Sequence, residues 1–244
     1  MEDKNINELR EDLVSGDWIL IATGRAKRPE KVIRQDFYQP KESCHFEDLE
    51  KSGNEVVWRY PEGPDWQIAA IKNKFPAVKS GVCGPVRKVG PFNVQEAVGE
   101  HDLFVFRDHD KIIADFTHEE ALNMVRAYKK RFREIVDLGC SKYIMLFHNH
   151  GHEAGGSIYH PHSQIMSLPT TPPLVTKSLD GSYKFYQEHN KRVFDTIIDW
   201  EKEQGKRIIC ENEFFIAFCP FVSAFPYEIR IFPKNTGAHF DQMP

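Results

Sequence analysis

The alternation of apolar and polar residues predicts several short strands and two long helices. Compact apolar runs bounded by polar or turn residues are typical of strands in a packed sheet. They predict strands at about 17–23, 66–71, 102–106, 143–147, 207–210, 214–218 and 228–232. Because three predicted strands follow one another before the first predicted helix, the pattern favours an α+β fold with an antiparallel-rich sheet.

The clearest predicted helix begins at Thr117, where Thr-His-Glu-Glu forms a capping box with Glu120 at the third helical position. Apolar residues then recur at spacings of three and four until Gly139, a residue type that often ends helices. The same periodicity predicts a second helix at about 182–204. We expect the first helix to pack on the sheet and to take no part in chemistry.

Proline and glycine divide the chain further. The Pro172-Pro173 pair breaks the pattern and predicts a boundary between a domain of residues 1–172 and a second domain of residues 173–244. Residues 79–100 are rich in Gly, Pro and Val, which indicates a long connection or lid.

Composition narrows the class of function. With 32 basic and 36 acidic residues the net charge is −4, so the chain is not built to hold nucleic acid by bulk electrostatics, and a phosphate site would be local. Five cysteines share no repeated spacing, which predicts free thiols in a reducing compartment rather than a disulfide framework. No apolar run approaches the ~20 residues that a membrane span needs. The sequence therefore predicts a soluble, cytoplasmic enzyme.

Candidate chemistry is concentrated between residues 148 and 164. His160, His162 and Gln164 alternate, so an extended backbone would place all three on one face. The preceding Gly155 and Gly156 would let backbone N–H groups approach an anion closely. Since a neutral imidazole can attack an electrophilic phosphorus, the pattern predicts a phosphate site with a histidine nucleophile.

Residues 149–164 resemble the active-site signature of the galactose-1-phosphate uridylyltransferase family, the transferase branch of the histidine-triad superfamily. The resemblance implies a histidine-triad-like antiparallel sheet with packed helices, followed by an incomplete second unit of the same kind. It also implies that His162 is the catalytic nucleophile that accepts a nucleoside monophosphate. Gln164 stands where the hydrolase branch has a third histidine, and a glutamine can bind a phosphoryl oxygen without exchanging a proton.

The same resemblance implies contacts to the substrate. Composition alone makes the basic turn 24–29 a solvated loop, whereas the similar Arg-x-Lys-Arg-Pro of the family implies that Arg25 and Arg28 touch substrate phosphates. The turn 73–77 resembles the Asn-x-Phe-Pro-Ala turn that holds uridine. The other substrate-binding positions are Asn73, Phe75, Asn149, Gly155, Gly156 and Ser157.

A zinc site is the cofactor that the resemblance implies. Its ligands would be Cys44, Glu47, His109 and His160, with Glu47 in the place where the family usually has a second cysteine. Zinc accepts carboxylate, imidazole and thiolate ligands, so this set is chemically allowed. Two substitutions stay open, His45 for Glu47 and His101 for His109.

The function implied is transfer of UMP from UDP-glucose to galactose 1-phosphate through a uridylyl-histidine intermediate. The partners would be a nucleotide sugar and a sugar 1-phosphate, without nucleic acid or membrane, and the enzyme would be a homodimer. Two alternatives stay open. One is an ADP-sugar or dinucleoside-polyphosphate phosphorylase that uses the same histidine. The other is a zinc-stabilised module that binds nucleotides without turning them over.

Overall fold

The computed structural model describes residues 6–23, 38–235, 237 and 239–243 of an α+β chain with antiparallel sheets. The chain forms two compact units, one of residues 34–171 and one of residues 1–33 together with 172–244. The strands are β1 (Asn7–Glu11), β2 (Trp18–Ala22), β3 (Val56–Tyr60), β4 (Ile68–Lys72), β5 (Arg87–Val89), β6 (Phe92–Val94), β7 (His101–Phe106), β8 (Tyr143–His148), β9 (His162–Leu168), β10 (Ile208–Glu211), β11 (Phe215–Phe218) and β12 (Arg230–Pro233). The α-helices are α1 (His118–Asp137), α2 (Pro173–His189) and α3 (Val193–Gln204).

The unit of residues 34–171 is built on a five-stranded sheet with the strand order β3-β4-β7-β9-β8. All four strand pairs in this sheet are antiparallel. Alternate residues of its central strands supply two apolar clusters, one on each face. Phe104 packs with Ala127 and Ile135 of α1, whereas Leu103 and Val105 pack with the loop that contains Cys44. One face of the sheet is therefore covered by the helix and the other by this loop.

The predicted start of α1 is confirmed. Thr117 is the N-cap, and its side-chain oxygen accepts a hydrogen bond from the backbone N–H of Glu120, whose carboxylate in turn accepts from the backbone N–H of Thr117. The helix ends at Asp137 with Leu138 as its C-cap, and Gly139 follows with a positive φ of 76°. The local sequence was sufficient to predict the ends of α1, because the capping residues and the terminating glycine act within one helical turn.

The other unit contains the β1–β2 hairpin, α2, α3 and a three-stranded sheet in the order β10-β11-β12. The sequence grouped residues 1–33 with the first domain, whereas by its contacts the hairpin lies in this unit. Arg10 donates a hydrogen bond to the backbone oxygen of Phe221 at 2.6 Å, and its guanidinium lies 3.7 Å from the centre of the Phe221 ring. Such long-range contacts leave no local signal in the sequence.

Three other expectations are corrected. The helix predicted at 182–204 is two helices, because Asn190 ends α2 in a left-handed conformation with φ 48°, which asparagine tolerates. The connection 79–100 contains the β5–β6 hairpin. His160 precedes β9, which begins at His162, so only His162 and Gln164 alternate within the strand.

Cys83 and Cys140 form a disulfide with a Cα–Cα distance of 5.9 Å, which the cysteine spacing did not predict. Cys83 lies in the segment between the bridged residues Lys79 and Val98, and Cys140 follows α1, so the two cysteines are 57 residues apart in the sequence. Among the described residues, Cys44, Cys210 and Cys219 are free thiols. None of the helices in the described part of the chain combines the length and apolarity that crossing a bilayer requires.

Candidate active site and metal centre

A buried group of Cys44, His109 and His160 offers three ligand atoms within 4.8 Å of one another. Cys44 comes from the loop that covers the sheet, His109 follows β7, and His160 precedes β9. The Nδ1 atoms of the two histidines are 3.1 Å apart, and the Cys44 Sγ lies 3.6 Å from the His160 Nδ1. The group therefore gathers residues that are far apart in the sequence into a single cluster of ligand atoms.

The other nitrogen of each ring fixes its tautomer. The His109 Nε2 lies 2.7 Å from the backbone oxygen of Gln39, and the His160 Nε2 lies 2.5 Å from that of Phe106. A carbonyl oxygen only accepts, so both Nε2 atoms carry the proton and both Nδ1 atoms present lone pairs. Two facing lone pairs at 3.1 Å repel each other unless a cation lies between them. This arrangement fits a bound metal ion.

Glu47 lies beside this group and is the candidate for a fourth ligand. Its Oε1 lies 2.9 Å from the His109 Nδ1 and 3.5 Å from the His160 Nδ1. Zinc bonds of about 2.0–2.3 Å in a tetrahedron separate neighbouring ligand atoms by about 3.3–3.6 Å, close to the distances found here. The contact described for His45 is a backbone one, in which its carbonyl oxygen accepts a hydrogen bond from the Asn54 side chain. Geometry therefore favours Glu47 over His45.

Burial matters for the thiol ligand. Cys44 is buried, and burial raises the pKa of its thiol above the ordinary value. A metal cation reverses this preference, because it binds the thiolate directly. Without a metal, burial thus disfavours the Cys44 thiolate, and a bound cation would stabilise it.

His162 lies buried at the start of β9, next to this group. Its Nδ1 lies 3.0 Å from the backbone oxygen of His160, so Nδ1 carries the proton and Nε2 carries the lone pair. The ring packs edge-on against Phe46, with the centroids 5.4 Å apart, and Phe46 also packs against His160 at 5.8 Å. Burial lowers the pKa of His162, which keeps the ring neutral and its Nε2 nucleophilic.

The register of the sheet sets which side chains share the face of His162. His162 pairs with Val105, and Gln164 pairs with Leu103, so both point to the face opposite α1. Ser163 points to the other face, where its Oγ accepts from the Tyr128 hydroxyl at 2.6 Å and lies 2.9 Å from the His148 Nδ1. Strand β9 thus presents polar groups on both faces, and Tyr128 of α1 contacts the one on the helix side.

His101 links Gln164 to the turn that was expected to hold the nucleotide. The Gln164 Oε1 lies 3.1 Å from the His101 Nε2, and the Asn73 Nδ2 lies 3.2 Å from the same nitrogen. Asn73 also accepts a hydrogen bond from the backbone N–H of Phe75, whose side chain is 89% exposed. His101 was the alternative ligand for His109, and this part is wrong because His101 bonds Gln164 rather than the metal group.

The loop before His160 is shaped by glycines. Gly151 and Gly155 have φ values of 80° and 82°, which disfavour other residues. A Cβ on the buried Gly156 would lie only 2.9 Å from the Gly151 oxygen and 3.2 Å from that of Asn149. Close backbone packing therefore requires glycine at this position. Ser157, the next residue, is exposed.

The structure brings several of the expected site residues together. Cys44, Glu47, His109 and His160 form one cluster, and Asn73, His101 and Gln164 form another on the same sheet. Arg25 and Arg28 lie outside the described residues. The sequence reading missed Phe46, the packing partner of both site histidines, since a single apolar residue in a loop carries no signal of its contacts.

The fold and the site define the class first. An antiparallel five-stranded sheet with a packed helix, and a buried Cys–His group beside it, define an α+β protein with a candidate metal centre. The particular family follows from sequence: the chain belongs to the galactose-1-phosphate uridyl transferase family, whose N-terminal domain matches residues 1–172.

Two relatives and one solved structure illustrate the similarity. A protein from Arabidopsis thaliana named ADP-glucose phosphorylase is 31% identical, over 97% of this chain and 68% of that protein. Galactose-1-phosphate uridylyltransferase from Thermotoga maritima is 29% identical, over 93% of this chain and 67% of that protein. A crystal structure of an ADP-glucose phosphorylase from Arabidopsis thaliana with bound ADP-glucose is 30% identical, with a TM-score of 0.77, over 98% of this chain and 72% of that one.

Proposed function

We propose that the protein transfers a nucleoside monophosphate from a nucleoside diphosphate sugar to a phosphate acceptor through a covalent bond to His162. The main observation in support is the tautomer of His162. Its Nδ1–H donates a hydrogen bond to the His160 carbonyl oxygen, which leaves Nε2 as a neutral nucleophile. Membership of the uridyl transferase family supports the same chemistry.

The reaction consists of two displacements at the α-phosphorus. The lone pair of His162 Nε2 attacks this phosphorus, and the bond to the bridging oxygen breaks, so that the sugar 1-phosphate leaves with the electron pair. The Nδ1–H···O bond to His160 stabilises the positive charge that the ring acquires. A phosphate oxygen of the acceptor then attacks the same phosphorus and releases His162 in its starting state.

The polar groups around His162 take supporting roles in this proposal. The side-chain amide of Gln164 donates to a phosphoryl oxygen, the Gly155–Ser157 loop offers backbone N–H groups, and Asn73 with Phe75 holds the nucleoside. Arg25 and Arg28 bind the phosphates, and Asn149 is a further substrate-binding residue at the start of the loop. Cys44, Glu47, His109 and His160 would hold a zinc ion, which would supply structural cross-linking.

We assign UDP-glucose as the donor and galactose 1-phosphate as the acceptor of a homodimeric uridylyltransferase. A second candidate is an ADP-sugar phosphorylase with inorganic phosphate as acceptor, favoured by the 31% identity to the Arabidopsis thaliana protein of that name. Both share the first displacement and differ in the base of the donor and in the acceptor.

A labelling experiment followed by a chase tests the first displacement and the choice of acceptor separately. Purified protein is incubated with UDP-glucose or ADP-glucose carrying ³²P in the α-phosphate, then denatured and examined for protein-bound label. We expect label that is stable to base and released by acid, as a phosphoramidate is, and none in His162→Gln. Chasing the labelled protein with galactose 1-phosphate or with inorganic phosphate identifies the acceptor. Equal labelling of His162→Gln, or no label from either donor, would refute the proposal.

A further inference from the structure

Within the described part of the chain, His101 is the one histidine on the sheet face opposite α1 that belongs neither to the metal group nor to the proposed nucleophile. It is the first residue of β7 and pairs with Met166 of β9. Gln164 pairs with Leu103, which is two residues further along β7. This diagonal position brings its ring within reach of Gln164 on the neighbouring strand. The His101 Nε2 lies 3.1 Å from the Gln164 Oε1.

The opposite side of the ring determines which atom donates. The His101 Nδ1 accepts a hydrogen bond from the backbone N–H of Ala77 at 3.1 Å. An amide N–H only donates, so Nδ1 has the lone pair and the neutral ring carries its proton on Nε2. The proton on Nε2 is therefore donated to the Gln164 Oε1. The Asn73 Nδ2, at 3.2 Å, also carries protons and is a neighbour of Nε2 rather than its acceptor.

We infer that His101 is a positioning residue that fixes the side-chain amide of Gln164 with its oxygen held and its N–H₂ group free to donate. A glutamine amide can rotate by half a turn, and the rotated form would present its oxygen to a negatively charged phosphoryl group. The His101 bond favours the donating form before substrate arrives, which is electrostatic preorganisation. This inference rests on the proposed function, in which Gln164 contacts the phosphoryl group.

The same ring also joins two parts of the candidate site. Ala77 ends the turn that begins at Asn73, and this turn is the proposed nucleoside contact. One imidazole therefore sets the position of the turn relative to Gln164. A substitution at 101 should affect both donor binding and the rate of the chemical step, whereas a substitution at 164 should affect the chemical step alone.

A double-mutant cycle tests this dependence. The rate of label transfer from α-³²P UDP-glucose or ADP-glucose to saturated protein is measured for His101→Leu, Gln164→Ala and the double variant. His101→Leu should slow the step by about 10- to 100-fold, as small displacements of catalytic groups do. If His101 acts through Gln164, the double variant should be no slower than Gln164→Ala alone. His118→Leu, at the exposed start of α1, is the matched control and should keep the wild-type rate.

Two results would overturn the inference. The first is a double variant slowed by the product of the two single effects, which means that the residues act independently. The second is an NMR measurement of the His101 ring nitrogens that finds the proton on Nδ1. The NMR result does not depend on turnover, so it decides the His101–Gln164 arrangement even if wild-type protein takes no label and the proposed function fails.

Discussion

His162 donates its Nδ1–H to the backbone carbonyl oxygen of His160, 3.0 Å away. The candidate metal ligand thus orients the candidate nucleophile through its backbone carbonyl. His160 is itself held by its Nε2 contact to the Phe106 oxygen and by its place among Cys44 and His109. Anything that displaces His160 should therefore change the orientation of His162.

The metal group should bind one zinc per chain. We expect Cys44→Ser and Glu47→Ala each to weaken zinc binding by at least about tenfold, because even the loss of an outer partner costs about 10–100-fold in metal affinity. Zinc content after purification without chelator, and competition with a chromogenic chelator, measure this. Glu42→Ala is the control, since Glu42 is exposed in the same loop. Zinc binding by Glu47→Ala equal to that of Glu42→Ala would remove Glu47 from the ligand set.

Substitution of the two site histidines should give different losses. His162→Gln should abolish the labelled intermediate but lower the free energy of unfolding by only about 1–3 kcal/mol, since His162 is buried against Phe46 and a cavity or lost contact has that scale. His160→Asn should first lower zinc content and thermal stability. Labelling, zinc analysis and urea unfolding of both variants separate these effects. An intermediate that still forms in His162→Gln would exclude His162 as the nucleophile.

Gln164 should direct the intermediate toward transfer. Glutamine cannot exchange a proton near neutral pH, so Gln164→His should raise hydrolysis of the labelled intermediate relative to its capture by a sugar phosphate or phosphate. The ratio of free nucleoside monophosphate to transfer product in a chase measures the partition. Gln164→Asn, which keeps an amide, should leave hydrolysis low. A wild-type intermediate that hydrolyses as fast as any acceptor captures it would contradict the assignment.

Stability should fall in weak acid. Burial, with the nearby His162 and His150, lowers the pKa of His148 from 6.5 to about 4. The unfolded chain therefore binds a proton in this interval that the folded protein does not, so the free energy of unfolding decreases as the pH falls from 6.5 toward 4. Above pH 6.5 this contribution is fully present.

His148→Gln should make this decrease shallower. It should not remove it, because burial also lowers the pKa values of His160 and His162. Urea unfolding between pH 4.5 and 7 measures the slope for both proteins. An unchanged slope in the variant would mean that His148 titrates alike in the folded and unfolded states.

The sequence by itself determined the local elements of this protein. The capping box at Thr117 and the spacing of apolar residues located α1, since both act within a few residues. The alternation of His162 and Gln164 correctly placed the two on one face of a strand, because side chains in a strand alternate regardless of what surrounds them. The residue types at 44, 47, 109 and 160 were enough to suggest the ligand set as a family resemblance.

The tertiary structure decided which of these residues meet. The choice of Glu47 over His45, and of His109 over His101, followed from the loop that covers the sheet and from strand register. The pairing of Cys83 with Cys140 and the contact of Arg10 with Phe221 join positions 57 and 211 residues apart. Such contacts depend on how the elements pack rather than on neighbouring residues, and the periodicity of one chain carries no information on that packing.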